Sequence, residues 1–260
     1  MPDGPPPEPV VQRLRLRFAK RGRLRFSSHR DFQRAFERAL RRAAVPIAYS
    51  AGFSPHPRIS FAGAAPTGAA SEAEYLEIAL TRPCDPERLR CALDDALPPG
   101  LDILEAVPAG PGALAERLTA SVWRIELTGV SPAEAADAVR TFLSAERVEV
   151  SRVMKSGLRT FDTRGAVVGL RVEDAEPSQS DGNGAFRGAQ GEPCSYAILH
   201  VVVRHTTPAV RPDDVLSGLR SQAHLAPLSS RMTRLAQGPL DEENGTVADP
   251  LTAERTVVGS

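Results

Sequence analysis

Three cysteines in 260 residues, Cys84, Cys91 and Cys194, are too few and too unevenly spaced for a disulfide framework or a zinc site. They read as reduced, buried and inert thiols. No apolar run reaches the roughly 18 to 20 residues that cross a bilayer, and Met1 to Val10 is Pro-rich without the charged and apolar regions of a signal peptide. A cytoplasmic protein without a membrane partner is expected. Walker A, dinucleotide-glycine, zincin and Gly-x-Ser-x-Gly patterns are all missing. That removes the commonest nucleotide-hydrolysing, redox, metalloprotease and serine-hydrolase classes, and no metal or cofactor is expected. Lysine is scarce, at 2 residues against 30 arginines, and asparagine stands only at 183 and 244. A GC-rich genome accounts for this bias as well as any selection for guanidinium chemistry does.

Net charge is also absent, with 32 basic and 32 acidic side chains. The balance conceals an asymmetry. Residues 1–61 carry 13 basic and 4 acidic groups, whereas residues 62–118 carry 4 and 10. Codon bias selects arginine over lysine but does not gather positive charge into one quarter of a chain. A basic first quarter fits an anionic partner, nucleic acid first. The alternative is a solvated face neutralised by the acidic stretch behind it.

Hydrophobic patterning describes an α+β protein. Residues 11–18 alternate as a half-buried strand with Arg13, Arg15 and Arg17 on one side. Leu24 to Phe26 is short and extended, and Ser28 with Asp31 forms a capping box before helix 29–44. Strands at 45–49, 58–61 and 74–80, a helix at 85–97 and a strand at 101–107 complete a first domain, 11–108. A second, 120–236, has strands at 120–128, 147–154, 166–173, 196–204 and 230–236 with helices at 132–144 and 212–222. Trp123 falls in its core. Two tandem ferredoxin-like (βαββαβ-type) halves are the expected architecture. The Pro-rich start 1–10, the polar insertion 176–193 and the acidic tail 239–260 are expected to be disordered.

Two stretches carry candidate chemistry. On helix 29–44, Arg30, Arg34, Arg38 and Arg42 recur every four residues and form a ridge opposite Phe32, Phe36 and Leu40. Like charges at this spacing cost roughly a few tenths of a kcal/mol per pair, so the ridge needs a counter-charge. Phosphates supply one through bidentate bonds and counterion release; Glu72, Glu74, Glu77 or Asp94 supply it within the fold. The second stretch, Tyr49 to Phe61, holds Tyr49, Phe53, His56 between Pro55 and Pro57, and Arg58. Aromatic faces and a cation on a stiff loop suit stacked bases and phosphate. A structural turn with a backbone-bonded His56 is the alternative.

These residues also carry a resemblance. His29-Arg30-Asp31 after Phe26-Ser27-Ser28, the run Arg38 to Ala43, Pro46 to Phe61 with its Tyr-Ser-x-Gly-Phe-x-Pro-His-Pro core, and Glu74-Tyr75 resemble the radical-SAM-associated domain of unknown function. That domain is fused behind, or encoded beside, B12-binding-type radical SAM proteins. Residues 12–80 carry the specific likeness and 120–236 a looser one, in which Lys155, Arg159 and Asp162 match a basic turn followed by an aspartate. The resemblance implies a radical SAM partner and no settled activity. This chain lacks the Cys-x-x-x-Cys-x-x-Cys loop that would hold an iron–sulfur cluster.

The combined expectation is a non-catalytic accessory protein that binds RNA or a similar anionic substrate, with Arg30, Arg34, Arg38, Tyr49, Phe53, His56, Arg58, Lys155 and Arg159 as the binding groups. A protein-binding scaffold for the radical SAM partner is the alternative. A stand-alone enzyme using His29, His56 and Asp162 ranks behind both, since nothing in the sequence fixes a nucleophile or a metal.

Overall fold

Alternation in the first strand decides which way the first half of the chain packs. In the computed structural model, which describes residues 8–154, 157–173 and 195–255, β1 (Gln12–Lys20) turns Leu14, Leu16 and Phe18 toward two helices and its arginines to the opposite face. A 3₁₀ turn (Gly22–Phe26) follows where an extended segment was expected. The helix α1 (His29–Arg42) starts at the capping box, with the Ser28 hydroxyl accepting from the Asp31 N–H and the Asp31 carboxylate accepting from the Ser28 N–H. Then come β2 (Ile59–Ala62), β3 (Ala70–Leu80), α2 (Pro86–Ala96), β4 (Leu101–Pro108) and the short α3 (Leu114–Arg117).

β1 pairs antiparallel with both β3 and β4, and β2 pairs antiparallel with β3. Leu76, Ile78, Leu80 and Ile103 join the β1 leucines beneath Phe32, Phe36, Leu40 and Leu93. Phe18 and Phe32 stack with ring centroids 4.2 Å apart. The expected strand 45–49 is reduced to two isolated bridges, Ile47 to Leu80 and Tyr49 to Pro57. Pro46 has no N–H to give a ladder, so continuous pairing fails there.

The described residues divide into two compact units, one of residues 8–118 with 249–255 and one within residues 119–248. The second contains β5 (Ala120–Thr128), α4 (Pro132–Ser144), the hairpin β6 (Glu149–Met154) and β7 (Gly157–Asp162), then β8 (Val167–Val172), β9 (Tyr196–Arg204), α5 (Pro212–Ala223) and β10 (Ser229–Gly238). Its strands run in the order β10-β5-β9-β8, all neighbours antiparallel. Trp123, Ile125, Leu199 and Val201 are buried with Phe142 and Leu219 of α4 and α5. A Cβ on Gly218 of α5 would stand 2.8 Å from the Phe142 ring, so this helix-interior glycine is set by a close approach. The second strand of the hairpin was not anticipated, because Leu158 to Thr160 is exposed and carries no alternation.

The acidic tail from 239 departs furthest from expectation, since residues 239–255 are folded. β11 (Leu240–Asp241) and β12 (Thr246–Val247) form a small hairpin whose loop is drawn in by Asp241, accepting from the Glu243 and Asn244 N–H groups at 3.0 and 3.2 Å. After it, Leu251 is fully buried beside Tyr75, Val107 and Leu114. In α6 (Thr252–Arg255) the Glu254 carboxylate accepts from Arg15 and from Arg117. The desolvated guanidinium of Arg15 needs that counter-charge, which orders a segment poor in apolar residues. Residues 1–7 and the insertion 176–193 lie outside the described residues, as do 256–260.

The fold is therefore mixed α+β, with six α-helices among the described residues. None of them is long and apolar enough to cross a membrane.

Candidate nucleic-acid interface

Two groups of arginines in the basic first quarter, those of β1 and those of α1, have different surroundings. Those of β1 are consumed by the fold. Arg15 is fully buried and donates to Glu77, to Glu254 and to the Gly110 and Gly112 carbonyls, while Arg13 donates to Glu77 at 3.1 Å and Arg17 to the Glu72 carbonyl at 2.9 Å. The arginine face of β1 is thus a satisfied polar layer.

The arginines of α1 behave differently. Phe32, Phe36 and Leu40 are buried and Arg30, Arg34 and Arg38 are exposed on the opposite side, as the helical spacing requires. None of the three makes a side-chain hydrogen bond or ion pair among the described residues. The carboxylates that could neutralise the ridge have other work: Glu72 takes Arg21, Glu77 takes Arg13 and Arg15, Glu74 accepts from the Ala65 N–H, and Asp94 accepts from the Ile103 N–H. Arg42 leaves the ridge, donating to the Ala96 carbonyl at 2.9 Å. Asp31 is the acidic group in the field of Arg34 and Arg30. Its carboxyl lies below the usual range, chiefly through the Ser28 hydroxyl and N–H bonds, with the two arginines adding to the effect.

The loop after α1 is closed by bonds of its backbone and of the Ser50 hydroxyl, which leave its rings and its guanidinium free. The Ser50 N–H donates to the His56 carbonyl at 2.9 Å, the His56 N–H to the Ser50 hydroxyl at 3.0 Å, and the Arg58 N–H to the Ala48 carbonyl at 2.8 Å. Gly52, at φ 120°, supplies the backbone conformation that turns the tip. Phe53 at that tip is 100% exposed and Tyr49 is 40% exposed. The His56 and Arg58 side chains are exposed and unbonded among the described residues. Ring and cation are presented to solvent on a tethered backbone, which limits the entropy lost on binding.

The remaining candidates have other surroundings. His29 starts α1 with its ring edge-on to Phe61 at 4.6 Å. Arg159 lies on β7 in the other unit, exposed and opposite Arg152, while Arg152 pairs with Asp214. Lys155 lies outside the described residues. Asp162 is a backbone clamp, accepting from the Val148, Arg164 and Gly165 N–H groups at 2.9, 3.0 and 3.0 Å. Burial pushes its carboxyl up, but these three bonds outweigh it and hold the group below the usual carboxylate range. Both oxygens accept backbone bonds, which gives Asp162 a structural part in this turn. Among the described residues no cluster of three metal-ligating side chains occurs. Cys91 is exposed beside Arg90 and Glu87, in contrast to the buried thiol expected.

Periodicity passes over two further cations. Arg41 stands off the ridge and Arg82 is one of 4 basic residues in the acidic stretch 62–118, yet both line one open cleft of about 620 Å³. Only the return of the chain after α1 brings them together.

The chain belongs to the family described as Uncharacterized protein conserved in bacteria, DUF2344, which matches residues 13–212. No curated protein matches it. Among solved structures it is similar to an unknown protein from Galdieria sulphuraria, at 16% identity over 86% of this chain and 98% of that one, with a TM-score of 0.22.

Proposed function

We propose that the protein is a non-catalytic accessory that binds RNA, or a substrate equally rich in phosphate, beside a radical SAM enzyme in RNA modification. The observation that carries the RNA reading is the ridge Arg30, Arg34 and Arg38, exposed and without an ion pair among the described residues, while Glu72, Glu74, Glu77 and Asp94 are engaged elsewhere. Like charges held on one helix face cost stability, and counterion release on phosphate offsets that cost. The tethered loop adds Tyr49 and Phe53 as stacking groups and Arg58 as a further cation. The radical SAM partner rests on the sequence resemblance alone, and the cytoplasmic setting on the sequence reading of apolar runs and the Pro-rich start. We read each unit as a ferredoxin-like half, on its β-α-β-β-α-β order of elements with the hairpin β6–β7 as an insertion in the second.

Binding of a single-stranded RNA by the full chain, followed by fluorescence anisotropy across a salt series, tests this. Affinity should fall steeply with salt. The variant Arg30→Ala/Arg34→Ala/Arg38→Ala should bind more weakly and with a shallower slope. Salt-independent binding unaffected by the triple variant would remove the reading. A second reading, a scaffold for the partner enzyme, is favoured by the full exposure of Phe53. It predicts salt-resistant co-purification with that enzyme, lost on Phe53→Ala.

A further inference from the structure

α1 ends in a reversal. Ala44 takes a left-handed backbone at φ 50°, and the Val45 N–H returns to the Leu40 carbonyl at 3.0 Å. The chain then runs back past its own last turn to the Ile47 bridge with Leu80. The result is the open cleft of about 620 Å³, whose wall includes Leu40, Val45 and Ile47 and whose exposed groups include Tyr49, Arg41 and Arg82. Neither guanidinium has a side-chain hydrogen bond or ion pair among the described residues. Glu8 is the one carboxylate lining the cleft among the described residues.

Volume, wall and charge together select a ligand. Clefts of about 300 to 1,000 Å³ hold ligands the size of a nucleotide. An apolar wall with a tyrosine beside it suits a planar ring, and two free guanidiniums suit an anion that accepts bidentate bonds. A phosphomonoester carries about −1.5 to −2 charges at pH 7, whereas a phosphodiester within a strand carries about one. Two cations in one cleft match the first better. Tyr49 belongs both to this cleft and to the loop proposed to stack bases, so a strand lying along the loop can reach the cleft.

We infer that the cleft takes the phosphomonoester end of an RNA strand, with the terminal base against the Leu40, Val45 and Ile47 wall and the phosphate on Arg41 and Arg82. The inference rests on the RNA reading above and names the part of the strand that this cleft receives.

Isothermal titration of the full chain tests it with three decamers of one sequence, bearing a 5′-phosphate, a 3′-phosphate, or hydroxyls at both ends. One phosphorylated decamer should bind about tenfold tighter than the hydroxyl-ended one, and in Arg41→Ala/Arg82→Ala that ratio should fall to about one. Both side chains are exposed, so the melting temperature of the variant serves as the folding control. Equal affinity for all three decamers, or an end preference that survives the double variant, overturns the inference. Equilibrium dialysis with adenosine 5′-monophosphate separates the two levels of the argument. Retention of that nucleotide, lost in the double variant, with no decamer bound, overturns the RNA reading and the strand-end assignment together and leaves a mononucleotide cleft. Decamer binding with no end preference overturns the strand-end assignment alone.

Discussion

Arg15 in β1 donates through Nη1 to the carboxylate of Glu254 in α6, across 239 residues of chain, and both side chains are 1% exposed. Glu77, Gly110 and Gly112 take the rest of the guanidinium, and Arg117 donates to the same Glu254 carboxylate at 2.7 Å. A buried ion so fully bonded adds little net stability over an apolar substitute, but removal of one partner leaves the other charge stranded.

Glu254→Ala should therefore destabilise the protein by about 3 to 5 kcal/mol, and Arg15→Ala by a similar amount. Urea melts of the two single variants and the double variant check this. The double variant should cost less than the sum of the two, since the stranded charge is removed with its partner. Strict additivity would show that the pair is not coupled.

The two faces of α1 should respond in opposite ways. Phe32→Ala, Phe36→Ala or Leu40→Ala opens a cavity and should cost about 2 to 5 kcal/mol. Arg34→Ala or Arg38→Ala should stay within about 0.5 kcal/mol of the parent in the same thermal melt. Comparable losses from the arginine changes would make the ridge a structural feature.

His56→Ala/Arg58→Ala should weaken RNA binding with the melting temperature close to unchanged, because the loop is held by backbone bonds that both substitutions leave in place. The slope of log affinity against log salt should drop by about 0.7 to 0.9 for each phosphate that the variant no longer neutralises. Tyr49→Ala or Phe53→Ala should cost about 1 to 3 kcal/mol of binding with little change in slope. A double variant that melts much lower and binds as before would make His56 a structural histidine.

Stability should fall as the solution is acidified. Asp31, Glu134, Asp162 and Glu173 are all held below the ordinary carboxylate range in the folded chain, through bonds from Ser28, from Ser131, from three backbone N–H groups against the pull of burial, and from His200 respectively. A depressed folded value means that the unfolded chain binds protons first. The contribution is then complete above the unfolded values near pH 4 and is lost as pH drops through the folded ones. Chemical melts from pH 6 to pH 2 should show this limb, and Asp162→Asn should flatten it. An unchanged limb in that variant would take Asp162 out of the linkage.

Legibility in the sequence followed the range of the interaction involved. Helix α1 could be read because its determinants are local: Ser28 caps Asp31, and Phe32, Phe36 and Leu40 share one face. The strand β1 alternates for the same reason, but the fate of its arginines could not be read, since Glu77 and Glu254 are brought to Arg15 by pairing across the fold. That long-range demand also explains why the acidic tail looked structureless. Residues 45–49 read as a strand on β-propensity, and the missing N–H of Pro46 outweighed it. The ridge and the loop were visible as candidate surfaces. Their freedom from ion pairs was not, because it depends on where Glu72, Glu77 and Asp94 are spent.

The return of residues 249–255 to the unit that holds residues 8–118 sets the order in which the molecule can be completed. Arg15 leaves the ribosome 239 residues ahead of the carboxylate that neutralises it. The interposed unit, continuous over residues 119–248, can close while the unit that began first is still unfinished. Completion of the two units can therefore run against the direction of translation. A nascent chain stalled after residue 248 has emerged should protect the later unit from protease and leave the earlier one open to cleavage.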